Sequence, residues 1–250
     1  MKGFLFFRLF LVQALWNYRT LLGAGLLWVV FPALKEGTRG REEAWKEAVE
    51  RHQGTFNAHP YLAGFAAGAL ARLEADRADP RLIQRMRRAL PGPLGSLGDR
   101  FFWAGWLPLT LLLAGTLAMV GISPLWAAIV FLVLYNTPHL LVRWGGVVSG
   151  LSEGSQVARS LGRYDFPRWA ERAGGAGVLL LGSLGGLLLM EALGPVLTTG
   201  RPGGWENILA LGGMVLFGLG FRLGRAYPRA LSTLVLGVLA GLFLLGILNS

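Results

Sequence analysis

Seven polar side chains lie inside or directly beside apolar runs of this 250-residue chain, and these side chains are the best placed to do chemistry. A polar group in an apolar, membrane-like setting is costly, so it usually faces a bundle interior or a water-filled path. Amides, imidazoles and carboxylates together supply the donors and acceptors that a hydroxyl-rich ligand such as a sugar requires. The seven residues are Asn17, Asn57, His59, Glu74, Asp99, Asn136 and His139.

Structural roles compete with ligand binding at several of these positions. In "QGTFNAHPYLAG", residues 53–64, Asn57 can cap a helix that begins just after it. Asp99 can likewise cap an apolar helix that follows it, and Asn136 with His139 can hydrogen-bond between helices. The glycines at 92, 95 and 98 predict a tight, non-helical bend rather than a phosphate cradle.

Several kinds of chemistry are not expected from this sequence. The chain has no cysteine, and its three histidines, His52, His59 and His139, are accompanied neither by an HExxH motif nor by clustered carboxylates. No lysine follows a glycine, so a P-loop is absent. Ser96 and Asp99 have no base placed beside them in the sequence. We therefore predict no metal, no cofactor and no catalytic set, and a membrane enzyme remains a weaker alternative.

The composition is typical of an integral membrane protein. Hydrophobic residues make up 53% of the chain and charged residues only 15%, against about 25% in soluble domains. Thirty-seven glycines and nine tryptophans fit the same class. The net charge of +10 comes from arginines in the gaps between apolar runs rather than from one basic stripe. This pattern indicates a lipid bilayer as partner and no nucleic acid.

Five apolar segments are long enough to cross a bilayer. Arginines crowd the segments 72–100, 143–172 and 222–229, whereas the alternate connections carry only Arg201. The positive-inside rule therefore places the arginine-rich connections in the cytoplasm and the C-terminus outside. The predicted spans are 101–121, 123–142, 175–198, 207–223 and 230–249.

The first hundred residues are organised differently. Arg8 interrupts the first apolar stretch, which predicts an uncleaved amphipathic helix. Residues 41–53 read as a surface helix with Glu42–Lys46 and Glu47–Arg51 pairs, and 60–71 is apolar but too short to cross. Residues 90–103, "LPGPLGSLGDRFFW", predict broken backbone of the kind found at transporter binding sites. The expected fold is an all-α integral membrane protein, with amphipathic and re-entrant elements in residues 1–100 and transmembrane helices in 101–250.

Four ordered blocks resemble the IID membrane subunit of the mannose/fructose/sorbose family of sugar phosphotransferase systems. They are residues 8–35, the "RHQGTFNAHPYL" stretch 51–62, the "LPGPLGSLGDRFFW" stretch and residues 135–154. The second block is similar to the family's FNTHP motif, with Ala58 where the family usually has threonine. The third is similar to its MGPLAGIGD motif. The last hundred residues are similar only as apolar spans.

The resemblance implies a permease subunit of a bacterial plasma membrane. An IID chain forms the sugar path with an IIC subunit, as part of an assembly expected to be trimeric, and soluble IIA/IIB phosphocarriers phosphorylate the hexose during uptake. The phosphohistidines of that family lie on IIA/IIB, so His52 and His59 should not carry phosphate. The arginine-rich segment 77–88 is a candidate surface for IIB.

The same resemblance points to substrate-binding residues. We expect Asn57, His59 and Asp99 near the sugar path, with Asn17 and Asn136 as second candidates. Trp16 can stack on a sugar or anchor at the membrane interface. Ala58 and the short outer connection 199–206 keep an alternative open, in which an IID-like transporter or regulatory subunit no longer acts in phosphotransfer.

Overall fold

The structure is a computed structural model that describes residues 1–197. The helices in chain order are α1 (Lys2–Leu9), α2 (Gly23–Gly37), α3 (Glu42–His52), α4 (Ala63–Ala75), α5 (Pro80–Ala89), α6 (Pro91–Gly98), α7 (Leu107–Met119), α8 (Pro124–Glu153), α9 (Val157–Arg163) and α10 (Phe166–Leu197). A π-helical segment, Asp99–Trp106, joins α6 to α7. No strand occurs among the described residues, which confirms the predicted all-α fold. The predicted division at residue 100 stays a prediction.

Two helical stretches within residues 1–197 are long and apolar enough to cross a bilayer. They are Pro80–Met119 and Pro124–Leu181, and they contain the predicted spans 101–121 and 123–142 apart from residues near the turn between them. The predicted span 175–198 begins within α10. The predicted spans 207–223 and 230–249 lie outside the described residues.

The segment 90–103 is helical, so the prediction of broken, non-helical backbone there is wrong. Leu90 has helical dihedral angles and links α5 to α6, and the π-helical segment continues without a coil. Proline is tolerated at the first turn of a helix, where its missing N–H is not needed. Pro91 occupies that position of α6. The irregularity in this region is therefore the π-helical winding, a feature often found at functional sites.

One compact unit comprises Met1–Pro108 together with Leu132–Ala173, and it holds the candidate site. Its centre is α4, where the side chains from Ala63 to Ala71 are buried on every side. At about 1.5 Å per residue, its 13 residues span roughly 20 Å, less than the roughly 30 Å of the hydrocarbon core. The re-entrant placement of residues 60–71 stays a prediction.

Small residues bring α4 against the part of α8 in the same unit. A methyl group added at Gly68 would lie 2.6 Å from the Val147 carbonyl oxygen. One added at Gly150 would lie 2.6 Å from the Ala69 amide nitrogen. The packing role predicted for the spaced glycines at 64/68 and 146/150 is therefore confirmed.

A second unit contains Leu109–Phe131 and the described residues from Gly174 onward. In this unit Gly115 of α7 approaches Leu184 of α10.

Candidate functional site

The loop that follows α3 carries Asn57 and is held by backbone pairing with an earlier turn. The Phe56 amide donates to the Thr20 carbonyl at 3.1 Å, and the Leu22 amide donates to the Phe56 carbonyl at 3.0 Å. The Phe56 ring is 1% exposed, which anchors the pairing in the core. Gly54, at φ +90°, makes the turn that brings the chain there. Asn57 is exposed and directly follows this anchor.

Asn17 builds the turn on the other side of that pairing. Its side-chain oxygen accepts hydrogen bonds from the Arg19 and Thr20 amides at 3.0 and 2.9 Å. Its side-chain nitrogen donates to the Leu15 carbonyl and the Thr20 hydroxyl. With these four bonds, Asn17 is occupied in shaping the turn, a local role typical of asparagine.

The glycine face of α6 receives the chain at Asn57 and His59. A methyl group built on Gly95 would lie 3.5 Å from the Asn57 carbonyl oxygen. One built on Gly98 would lie 2.2 Å from the His59 Cβ, far inside normal contact distance. The predicted tight bend at these glycines is therefore wrong, because the backbone there is helical and Gly98 instead lets the loop pack closely on the helix. Gly92 faces open space.

His59 is buried against aromatic rings and is neutral. Its side chain is 1% exposed and stacks on Phe102 at 5.2 Å between ring centroids, with Trp103 at 4.8 Å. Nδ1 accepts the Tyr61 amide hydrogen at 3.2 Å, so the ring hydrogen lies on Nε2. Burial, together with the nearby positive charges of Arg143 and His139, lowers the pKa of His59 to about 3. His59 is thus an uncharged donor, and its Nε2 has no partner within residues 1–197.

Tyr61 connects this loop to α8. Its ring stacks on His139 at 4.4 Å, and its hydroxyl lies 3.1 Å from the Tyr135 hydroxyl. The Arg143 guanidinium lies 5.4 Å from the same ring and donates to the Leu9 carbonyl. The loop, α8 and the end of α1 therefore meet around one aromatic side chain.

Asn136 is linked to the rings around Tyr61 through a hydrogen bond with His139. Its side-chain nitrogen donates to the Leu132 carbonyl, so its oxygen accepts from His139 Nε2 at 2.9 Å. Both hydrogen bonds lie within α8. The prediction that Asn136 and His139 hydrogen-bond between helices is therefore wrong. The i, i+3 spacing places the two side chains on one helical face.

The structure brings Asn57, His59 and the helix bearing Asp99 into one region. Asp99 is exposed and directly follows Gly98, the residue on which His59 packs. Neither Asn57 nor Asp99 is a cap, because α4 begins after Leu62 without a side-chain cap and Asp99 has helical backbone on both sides. The side chains of Asn57 and Asp99 are thus left available at the surface of this unit.

A buried charge cluster that sequence spacing did not predict holds the start of the loop. Glu74 of α4, 4% exposed, accepts from Arg51 Nε and Nη2 at 3.0 and 3.1 Å, and lies 2.9 Å from His52 Nε2. Burial would raise the pKa of Glu74, but the hydrogen bonds and charges of His52 and Arg51 outweigh it and lower that pKa. Arg51 therefore contacts Glu74, whereas a pair with Glu47 was predicted. A glutamate within an apolar run was the available signal.

Among the described residues, no group of three or more histidines and carboxylates could hold a metal ion.

These features define an α-helical membrane protein in which a polar loop packs on the glycine-containing face of α6. The family model of the PTS system mannose/fructose/sorbose family IID component matches residues 3–189. The chain belongs to this family.

Similar proteins with established names support the same family assignment. The mannose-specific EIID component of Escherichia coli K12 is 30% identical over 72% of this chain, and the sorbose-specific EIID component of Klebsiella pneumoniae is 28% identical over 72%. The match spans 64% and 66% of those two proteins respectively. A solved structure titled as the mannose transporter ManYZ with microcin E492 has a chain that is 25% identical, with a TM-score of 0.58 over 99% of this chain and 94% of its own. A second, titled only as a membrane protein, is 27% identical with a TM-score of 0.65 over the same shares.

Proposed function

We propose that this chain is the IID subunit of a mannose-type phosphotransferase permease, forming the path for a hexose together with an IIC subunit. Soluble IIA/IIB phosphocarriers then phosphorylate the sugar during uptake. Family membership supports this function, and the mannose- and sorbose-specific names of the relatives support a hexose as substrate. The likeness to a chain of a transporter complex supports partnership with a second membrane subunit.

The observation that carries the site is the packing of residues 57–59 on α6. This packing presents two exposed polar side chains, Asn57 and Asp99, beside a buried neutral donor, His59. Sugars are uncharged and are recognised by directional hydrogen bonds, which amides, carboxylates and neutral imidazoles supply. We assign Asn57 and Asp99 to direct sugar contact and His59 to shaping the site from beneath.

Asn136 and Asn17 take supporting roles in this proposal. Asn136 orients His139 against Tyr61, and Asn17 forms the turn that holds Phe56. Ala58, 7% exposed, faces the protein rather than the surface. The methyl group that replaces the family's threonine therefore changes packing and does not remove a surface hydroxyl from the proposed path.

The assembly and its location follow from the same assignment. The subunit lies in the bacterial inner membrane with several crossings, and IIC–IID pairs form a trimeric complex. On α5, Arg81, Arg85 and Arg88 are exposed, whereas Arg87 is buried. Arg77, which precedes α5, donates to the Gly37 carbonyl. The surface proposed for IIB in segment 77–88 is accordingly reduced to those three arginines of α5.

Substitution of the two exposed residues tests the site. In membranes containing IIC and IIA/IIB, we expect Asn57→Ala and Asp99→Ala each to lower phosphoenolpyruvate-dependent sugar phosphorylation by about 10- to 100-fold, as expected for hydrogen bonds of about 1.5–3 kcal/mol. Gln53→Ala in the same loop and Gln84→Ala on α5, both exposed, are matched controls expected to retain activity. Full activity of both alanine variants in normally assembled complexes would show that the site is wrongly assigned.

A further inference from the structure

Arg87 differs from the other arginines of α5 in where its charge lies. Arg81, Arg85 and Arg88 are exposed, whereas Arg87 is 8% exposed. Within residues 1–197 its guanidinium makes no ion pair with a carboxylate. A buried charge is costly unless its hydrogen bonds are satisfied, so its actual partners indicate its role.

The partners of Arg87 are backbone carbonyls at the end of α3 and in the loop behind it. Nη2 donates to the carbonyls of His52 and Gly54, each at 3.0 Å, and Nη1 donates to the carbonyl of Thr55 at 3.4 Å. The last carbonyls of a helix lack partners within the helix and carry partial negative charge. One planar guanidinium thus holds the end of α3 and two further residues in a single geometry.

The same loop is confined from the other side. A Cβ built on Gly23 of α2 would lie only 2.0 Å from the Gly54 carbonyl oxygen, so the loop packs directly on the backbone of α2. Two residues further on, Phe56 pairs with the Thr20–Leu22 backbone. His52, whose carbonyl accepts from Arg87, is also tied through its ring to Glu74 of α4. The start of the loop is therefore clamped between α2, α4 and α5, with Arg87 supplying the bonds from α5.

We propose that Arg87 is a positioning residue for the sugar path, because it sets the conformation of residues 52–55 and thereby the placement of Asn57 on α6. The inference rests on the proposed function for its link to sugar. Arg87 itself does not touch the substrate. Its effect passes through the backbone of the loop to Asn57, two residues beyond the last carbonyl that it binds.

The test uses the complete complex with IIC and a reporter in the loop. Because the chain has no cysteine, a nitroxide on Thr55→Cys gives a single label when it is attached before reconstitution. We expect Arg87→Gln to increase the mobility of this label and to raise the KM for sugar at least about tenfold, with kcat changed by less than about twofold. Arg87→Lys keeps the charge without the planar fork and should fall between. Gln84→Ala, at an exposed position on the same helix, should match the wild-type protein in both measurements.

The two measurements separate the inference from the proposed function. Label mobility that is the same in Arg87→Gln and the wild type would overturn the clamp. An equal loss of kcat at unchanged KM would overturn the positioning role. A looser label with unchanged KM would leave the clamp standing and contradict the assignment of Asn57 to the sugar path. Arg87→Lys provides the same readouts should Arg87→Gln fail to assemble with IIC.

Discussion

Gly98→Ala is expected to lower sugar phosphorylation by about 100-fold although it adds only a single methyl group. The new carbon would lie 2.2 Å from His59 Cβ and 2.4 Å from His59 Cγ, whereas carbon atoms in contact prefer about 3.5–4.0 Å. The loop and α6 would have to separate by about 1 Å or more, and a displacement of that size in a binding site can cost about 100-fold in activity. Phosphoenolpyruvate-dependent sugar phosphorylation in vesicles measures the loss.

Gly92→Ala is the matched control in the same helix. A methyl group at Gly92 meets nothing within 4 Å, and alanine favours helix more than glycine does. We expect normal activity and equal or slightly higher thermal stability. Activity of Gly98→Ala within twofold of Gly92→Ala would mean that the packing of His59 on α6 does not shape the site.

Glu74→Ala is expected to be the most destabilising substitution in the charge cluster. It leaves Arg51, with a side chain 13% exposed, and His52, fully buried, without the carboxylate that both contact. Removing one partner of a buried ion pair costs about 3–5 kcal/mol, because the remaining charge stays desolvated. Thermal unfolding of the detergent-solubilised complex should show a lowered midpoint. Glu47→Ala, an exposed position on α3, should change the free energy of unfolding by less than about 0.5 kcal/mol.

Acid should reproduce part of that effect. The pKa of Glu74 is lowered in the fold from its usual 4.5, so its contribution is fully present above pH 4.5 and is lost as the pH falls through the folded-state value. In Glu74→Gln this acid-dependent loss should disappear, because the amide does not titrate. Equal acid sensitivity of Glu74→Gln and the wild-type protein would contradict the assigned role of the carboxylate.

The helical class and the small-residue packing were predictable from local sequence. Apolar runs with spaced glycines leave few folds besides packed membrane helices, and the glycine pairs 64/68 and 146/150 do pack as expected. The surface helix over 41–53 also agrees with α3, since alternating charges at i, i+4 spacing are a local property.

Two of the errors concern partners distant in sequence. Gly95 and Gly98 suggested a bend because glycine permits unusual backbone, but the backbone is helical and Gly98 is needed because a side chain there would collide with His59. Arg51 had Glu47 within reach on its own helix, yet it contacts Glu74, 23 residues away, where burial strengthens the interaction. Asn57 and Asp99 were predicted as possible helix caps because each precedes an apolar run. The structure excludes that role, since α4 begins only after Leu62 and the backbone around Asp99 is continuously helical.

Among the candidate residues, those of the second and third blocks of the resemblance lie close together. His59 and Gly98 are 39 residues apart in the sequence, and through them the structure packs the second block on the third. Asn17 and Asn136 are bound into local hydrogen bonds that no periodicity reveals. The roles of Arg87 and Tyr61 depend on three-dimensional contacts with backbone and rings, so sequence spacing did not point to them.

Reconstitution of sugar phosphorylation from purified parts tests the central claim most directly. Proteoliposomes are prepared with IIC alone, with this chain alone and with both, and supplied with IIA/IIB and phosphoenolpyruvate. The test sugars are mannose, glucose, fructose and sorbose. The account predicts phosphorylated sugar only when both membrane subunits are present, and a strong loss with Asn57→Ala. Equal phosphorylation by IIC in the absence of this chain, or sugar entry through the pair that never requires phosphoenolpyruvate, would contradict it.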